Sequence, residues 1–237
     1  MYDVAKVSRI GSRQVNQDFA LSLADETGAY LVVCDGLGAY SDSDRASRIS
    51  AHIIAQAVAQ KESLTALYLG DVFKRAHDEI VRAKERGEIS PSSCSTASFC
   101  YLSQDSVCTA HCGDTRVYIF RQGRISFVTK DHSLAQIAVD KGKINRADIA
   151  DHKDQNKLTR VLGGKFFILP DTHFEQPLTV GDGVLVCSDG WWSALSEAEI
   201  LRAFSSCVSA EDGLRRMEEI INGKADDNYT ALLAIIK

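Results

Sequence analysis

The hydrophobic pattern along the 237-residue chain changes period several times. "AYLVVCD", residues 29–35, gathers β-branched and apolar positions into a short run and predicts a buried strand. From Ser43 the period changes. Ala46, Ile49, Ile53, Ile54, Ala57 and Val58 recur at three and four, one face of a helix. A second helical pattern spans 71–86, with Val72, Phe73, Ala76, Ile80 and Val81 on one side and Gly87 as a stop. Four short runs follow, "STASFCYLS", "SVCTAHCGD", "TRVYIFRQG" and "RISFVTKD", at near-hairpin spacing. They predict an antiparallel meander. "SLAQIAVDKG" reads as a helix capped by Ser133 and closed by Gly142. A further strand pair is predicted in "FFILPDTHFEQ" and "GVLVCSDG", helices over 196–207 and 211–222, and a last strand in "YTALLAII".

Strand runs and helix pairs are segregated along this order, which favours an α+β class with antiparallel sheets covered by helices. A doubly wound nucleotide fold is disfavoured, and "DGLGAYSDS" lacks the third glycine of a dinucleotide loop. Only three prolines and no Ser/Gly-rich tract leave no linker, so one domain over 1–237 is expected. The net charge of −5 comes with scattered Lys and Arg, so neither nucleic-acid nor anionic-membrane binding is expected. The apolar runs are too short to cross a bilayer, and "MYDVAKVSRIGSR" lacks the order of a signal peptide. Seven scattered cysteines without CxxC spacing argue against zinc and suggest reduced thiols in a cytoplasmic protein.

The candidate chemistry lies in the aspartates. Asp35 and Asp189 each end an apolar run just before a glycine. Asp114 follows "TAHCG", Asp227 precedes "NYTALLAII", and Asp18 opens a strand. A single such acid can be capped by backbone amides. Several of them without matching cations need a shared partner, because a carboxylate beside a buried strand is costly to desolvate. Mg²⁺ or Mn²⁺ suits such oxygen donors, and Gly36 leaves its carbonyl approachable. Two ions sharing an Asp and a water could activate that water at neutral pH.

The ordered set "RQVNQD", "VVCDGLGAY", "STASFCYL", "HCGDTRVYIF", "TKDHSL", "LTRVLGG", "LVCSDGWW" and "DDNYTALL" resembles the bacterial branch of the metal-dependent protein phosphatases, protein phosphatase 2C. The resemblance runs from about Arg13 to Leu233. It implies a four-layer α-β-β-α sandwich and hydrolysis of phosphoserine and phosphothreonine in proteins, in opposition to a Ser/Thr kinase. It implies that Asp35 bridges two Mn²⁺ or Mg²⁺ ions and that Gly36 offers its carbonyl to one of them. Asp189 and Asp227 would hold the other ion, and Asp18 would act through waters. Asp114 with Asp189 would support a weaker third ion, and Arg13 would grip the substrate phosphate, a task suited to a planar guanidinium. The segment from about 141 to 164 matches a flap beside the site.

There are departures. Tyr40 stands where many bacterial members carry histidine, and Ala39 replaces a glycine. Asp44-Arg45 replaces Gly-Glu, and Cys94 replaces a glycine. They leave two alternatives open: a pseudophosphatase that binds partners by shape, and a small-molecule phosphoesterase using the same ions. His132 is expected to fix a turn rather than act as a base. His111 reads as a core histidine. Of Trp191 and Trp192, one is expected in the core, with the other a candidate edge of the substrate groove.

Overall fold

The computed structural model describes residues 1–37, 42–59 and 63–237. One sheet is built from β1 (Tyr2–Arg9), β7 (Arg116–Arg121), β8 (Arg124–Val128), β10 (Gly183–Cys187) and β11 (Tyr229–Ile236), in the order β1-β11-β10-β7-β8. The other contains β2 (Asp18–Ala24), β3 (Gly28–Leu37), β5 (Ala97–Ser103), β6 (Val107–Cys112) and β9 (Asp171–Glu175), in the order β2-β3-β5-β6-β9, with β4 (Cys94–Ser95) pairing with β3. All pairings are antiparallel.

Strand alternation explains the layering. Leu31 and Val33 of β3 point inward with Ala20, Val117, Val184, Val186 and Leu232, forming the layer between the sheets. Val32 and Cys34 point the other way, under α1 (Ser43–Ala59) and α2 (Ala66–Glu85). On the opposite outer face, Leu185, Cys187, Leu233 and Ile235 pack beneath α5 (Glu197–Ser206) and α6 (Ala210–Ile221). Strands covered on both faces read as unbroken apolar runs, which is why "LVVC" and "ALLAII" lack polar alternation. The result is the expected α-β-β-α sandwich.

Three expectations are corrected. The four central runs do not form one meander: β5 and β6 belong to one sheet, β7 and β8 to the other. The chain crosses between them at Gly113, whose φ of 106° few other residues tolerate. The predicted pairing of β9 with β10 does not occur, since β9 pairs with β6 and β10 lies between β7 and β11. The second helix starts at Ala66, five residues early, because the Thr65 hydroxyl accepts the Tyr68 N–H as an N-cap. Helix α3 (Leu134–Asp140) carries the predicted Ser133 cap, and Gly142 follows with φ of 66°.

All seven cysteines are unpaired, and five are buried. Burial pushes the Cys108 and Cys112 thiols up to about 12, so they act as small hydrophobes. Among the described residues no helix is long and apolar enough to cross a membrane.

Candidate metal centre

Parity places the first two acids. Asp35 shares the face of Leu31 and Val33, and Asp18 the face of Ala20, so both project between the sheets. They are direct cross-strand partners in the β2–β3 ladder. Asp35 does not end its strand, as the sequence suggests; β3 runs on to Leu37.

The opposite sheet contributes from the ends of β10 and β11. Ser188 N–H donates to the Thr230 carbonyl at 2.9 Å, and Thr230 N–H donates to Ser188 Oγ at 3.0 Å. Ser188 Oγ then donates to Asp18 Oδ2 at 2.7 Å, linking the two sheets. Asp189 opens the short helix α4 (Asp189–Trp192). Asn228 binds the loop of residues 10–17: its amide donates to the carbonyls of Ile10 and Val15, and its Oδ1 accepts the Gln17 N–H. That loop presents Arg13, whose Nη2 donates to Asp227 Oδ2 at 2.7 Å at the rim.

The two glycines after the acids serve the backbone on their far side. A Cβ on Gly36 would lie 2.2 Å from the Ser43 carbonyl oxygen, and one on Gly190 would lie 2.1 Å from that of Asn228. Close packing therefore requires glycine at both positions, whatever their carbonyls face.

Electrostatics tie the five acids into one cluster. Burial, then repulsion from Asp18, Asp189, Asp114 and Asp227, holds the Asp35 carboxyl far above the usual range. Burial also raises Asp18 to about 6, against hydrogen bonds from Ser188 and Thr230. Burial followed by Asp227 and Asp18 raises Asp189 to about 7. Asp114 is held high by burial and Asp189. The structure thus brings together every acid singled out in the sequence, with Arg13 beside them. Gly38, Ala39 and Tyr40 lie outside the described residues.

Oxygen-rich coordination fits what these side chains lack. Asp18 Oδ1 and Asp114 Oδ1 are buried with no hydrogen-bond partner. An acceptor-only oxygen in that position needs a cation or a donor. Hard divalent cations that take carboxylate, carbonyl and water oxygens match this donor set.

Sequence reading missed several supports. Thr96 Oγ1 accepts the Asp35 N–H at 3.0 Å, and Thr96 N–H donates to the Asp35 carbonyl at 2.8 Å. Arg116 and Asp131 form a buried bidentate pair at 2.8 and 2.6 Å, with the guanidinium stacked 3.6 Å from the Trp192 ring. Both tryptophans are buried, Trp191 fully, as expected of one of the pair. Trp192 Nε1 donates to the Asp114 carbonyl at 2.8 Å, and its ring borders a hollow of about 450 Å³ shared with Arg146, Ile149 and Ser196. Only the tandem placement after "CSDG" hinted at this role.

Two back-to-back antiparallel sheets with helices outside and an acidic mouth define a four-layer sandwich of the metal-dependent phosphatase class. The family model "Protein phosphatase 2C" matches residues 7–222. The chain belongs to the protein phosphatase 2C family. It is 27% identical over 213 residues to the serine/threonine phosphatase stp of Listeria innocua, covering 86% of this chain and 82% of that one. The crystal structure of the Mycobacterium tuberculosis serine/threonine phosphatase PstP/Ppp superposes with a TM-score of 0.88 at 24% identity, over 100% and 99% of the two chains. A PstP catalytic domain in complex with 2 manganese ions superposes at 0.85, also at 24% identity and over 100% and 99%. These likenesses establish the fold.

Proposed function

We propose that this chain is a Mn²⁺- or Mg²⁺-dependent protein phosphatase that hydrolyses phosphoserine and phosphothreonine, opposing a Ser/Thr kinase. The observation that supports it most is the gathering of Asp18, Asp35, Asp114, Asp189 and Asp227 from both sheets, with buried carboxylate oxygens left without partners. Asp35 and the Gly36 carbonyl would hold one ion, with Asp35, Asp189 and Asp227 holding a second. Asp18 would act through waters, and Asp114 with Asp189 would take a weaker third. Two such ions, when bound, supply a water of lowered pKa and offset charge developing at phosphorus.

The chain's own groups do the rest. The Ser188 hydroxyl fixes Asp18 by one oxygen and leaves the other buried without a hydrogen-bond partner. Thr96 bonds both the N–H and the carbonyl of Asp35, which holds the central carboxylate in place. Arg13 stands at the rim, where an incoming phosphate meets two N–H donors, and its bond to Asp227 keeps it pointed at the cluster. The named activity of the relatives and the phosphatase family of the chain support a phosphoprotein substrate.

The test is hydrolysis of p-nitrophenyl phosphate and a phosphothreonine peptide with Mn²⁺. Asp35→Asn and Asp189→Asn are expected to lower turnover by about 1,000-fold, ~4 kcal/mol in the barrier, with the fold retained by circular dichroism. Full activity in EDTA would overturn the reading.

A further inference from the structure

Away from the acid cluster, ligand atoms of His111, His132 and Asp171 all lie within 4.8 Å of one another. Two imidazoles and a carboxylate are the donors of a transition-metal site. The hydrogen bonds argue otherwise. The Gly113 N–H points at His132 Nδ1 at 3.1 Å. A backbone N–H only donates, so Nδ1 keeps its lone pair and the neutral ring carries its proton on Nε2. Nε2 is the nitrogen that faces Asp171, 3.3 Å from Oδ2, a contact looser than a full hydrogen bond. His111 Nε2 lies 2.8 Å from the Lys130 carbonyl and so is also an N–H. The two rings stack at 4.6 Å with 10° between their planes. The lone pairs an ion would need are not gathered here; the cluster is a chain of hydrogen-bond donors and acceptors.

That chain leads to Asp114. The His132 N–H donates to the Gly113 carbonyl at 2.9 Å, so residue 132 holds Gly113 by both its N–H and its carbonyl. Gly113 has a φ of 106°, and a Cβ there would sit 2.6 Å from the Thr96 side chain. Thr96 in turn bonds Asp35. On the outer side, Asp171 is bonded by Arg160, and the Thr159 N–H donates to the His132 carbonyl at 2.7 Å. Burial would raise the Asp171 carboxyl, but the bond from Arg160 and the nearby His132 ring outweigh it and hold it low. Burial, His111 and Arg160 lower the His132 ring to about 4, which agrees with a ring kept neutral.

We propose that His132 is a positioning residue for the phosphatase centre: through Nδ1 it fixes the Gly113 turn that aims Asp114, while Asp171 holds its proton on Nε2. The proposal rests on reading Asp114 as part of the metal centre.

The geometry separates the two ring nitrogens by substitution. In His132→Asn the amide oxygen stands near the place of Nδ1 and still accepts from Gly113. In His132→Gln the amide reaches the place of Nε2 and faces Asp171, but Gly113 loses its acceptor. Mn²⁺ binding by calorimetry on the intact chain reads the effect. His132→Gln is expected to weaken the weaker binding step by about 10- to 100-fold, and His132→Asn by less than about threefold. Imidazole ¹⁵N spectra of the ion-free wild type are expected to show Nε2–H for His132, a readout independent of whether any variant folds.

Equal loss in both variants, no loss in either, or an Nδ1–H signal would overturn the proposal. Asp114→Asn separates the two readings. If it removes the weaker step while His132→Gln does not, only the role of His132 fails. If it changes nothing, Asp114 is no ligand and both fall.

Discussion

Asp18 and Asp35 stand directly opposite each other across β2 and β3, both turned into the space between the sheets. Like charges facing across a ladder destabilise it. Here the pair is also desolvated, and three more carboxylates add to the field on Asp35. Protons or cations must neutralise such a site, and the predictions below follow from which of the two is present.

Without divalent ions, Asp18 and Asp189 bind protons more tightly folded than unfolded, with values of about 6 and 7 against 3.8. Their contribution to stability is full below the unfolded value and is lost as pH rises through the folded values, from about 4 to 7. His132, lowered to about 4, works in the opposite sense below its unfolded 6.5. The comparison with Asp189→Asn isolates the acids. The variant is expected to melt higher than wild type at pH 8 in EDTA, and lower than wild type with saturating Mn²⁺. Differential scanning calorimetry checks both. A wild type that melts higher than the variant in EDTA at pH 8 would contradict the cluster's electrostatics.

Arg13→Ala is expected to lower kcat/KM for a phosphopeptide by about 10- to 100-fold while Mn²⁺ affinity changes little. A bidentate guanidinium–phosphate contact is among the stronger hydrogen-bonded pairs. Its bond to Asp227 lies at an exposed rim. Such surface pairs contribute less than about 1 kcal/mol, so the melting temperature is expected to stay within a few degrees. Steady-state kinetics with calorimetry of Mn²⁺ binding separates these effects.

Removing one partner of the buried Arg116–Asp131 pair leaves a charge without compensation. Asp131→Ala is expected to cost about 3–5 kcal/mol in urea unfolding. The double variant Arg116→Met, Asp131→Leu is expected to recover most of that loss, because apolar side chains of similar volume often replace a buried ion pair without penalty.

Gly36→Ala drives a methyl group to 2.2 Å from the Ser43 carbonyl oxygen, where the first turn of α1 begins. Backbone must move, so a loss of about 1–3 kcal/mol is expected. Because Gly36 follows Asp35, activity is expected to fall further than stability alone accounts for. Unfolding midpoints and turnover measured on the same preparation test this.

Much of this was legible in the chain. The helix faces of α1 and α2 followed from spacing, and the acids stood out because each lies against an apolar run. The resemblance ordered them into one site. What stayed hidden is what local pattern does not encode. The runs of β5 to β8 look alike, and nothing in them says that the chain changes sheets at Gly113. The strand β1, "YDVAKVSR", escaped notice because its positions are mostly half-buried and its polar residues interrupt any periodicity. Arg116 and Asp131 are fifteen positions apart, and the supports Thr96, Ser188 and Asn228 act by contacts across 42 to 218 positions.

The acids are drawn from both halves of the sandwich, with Asp18 and Asp35 on one sheet and Asp189 and Asp227 at the strand ends of the other. Whatever neutralises them therefore rivets the two halves at that end. A molecule starved of ions loses its chemistry and its rivet together, so that an idle copy is also the one most easily prised open there.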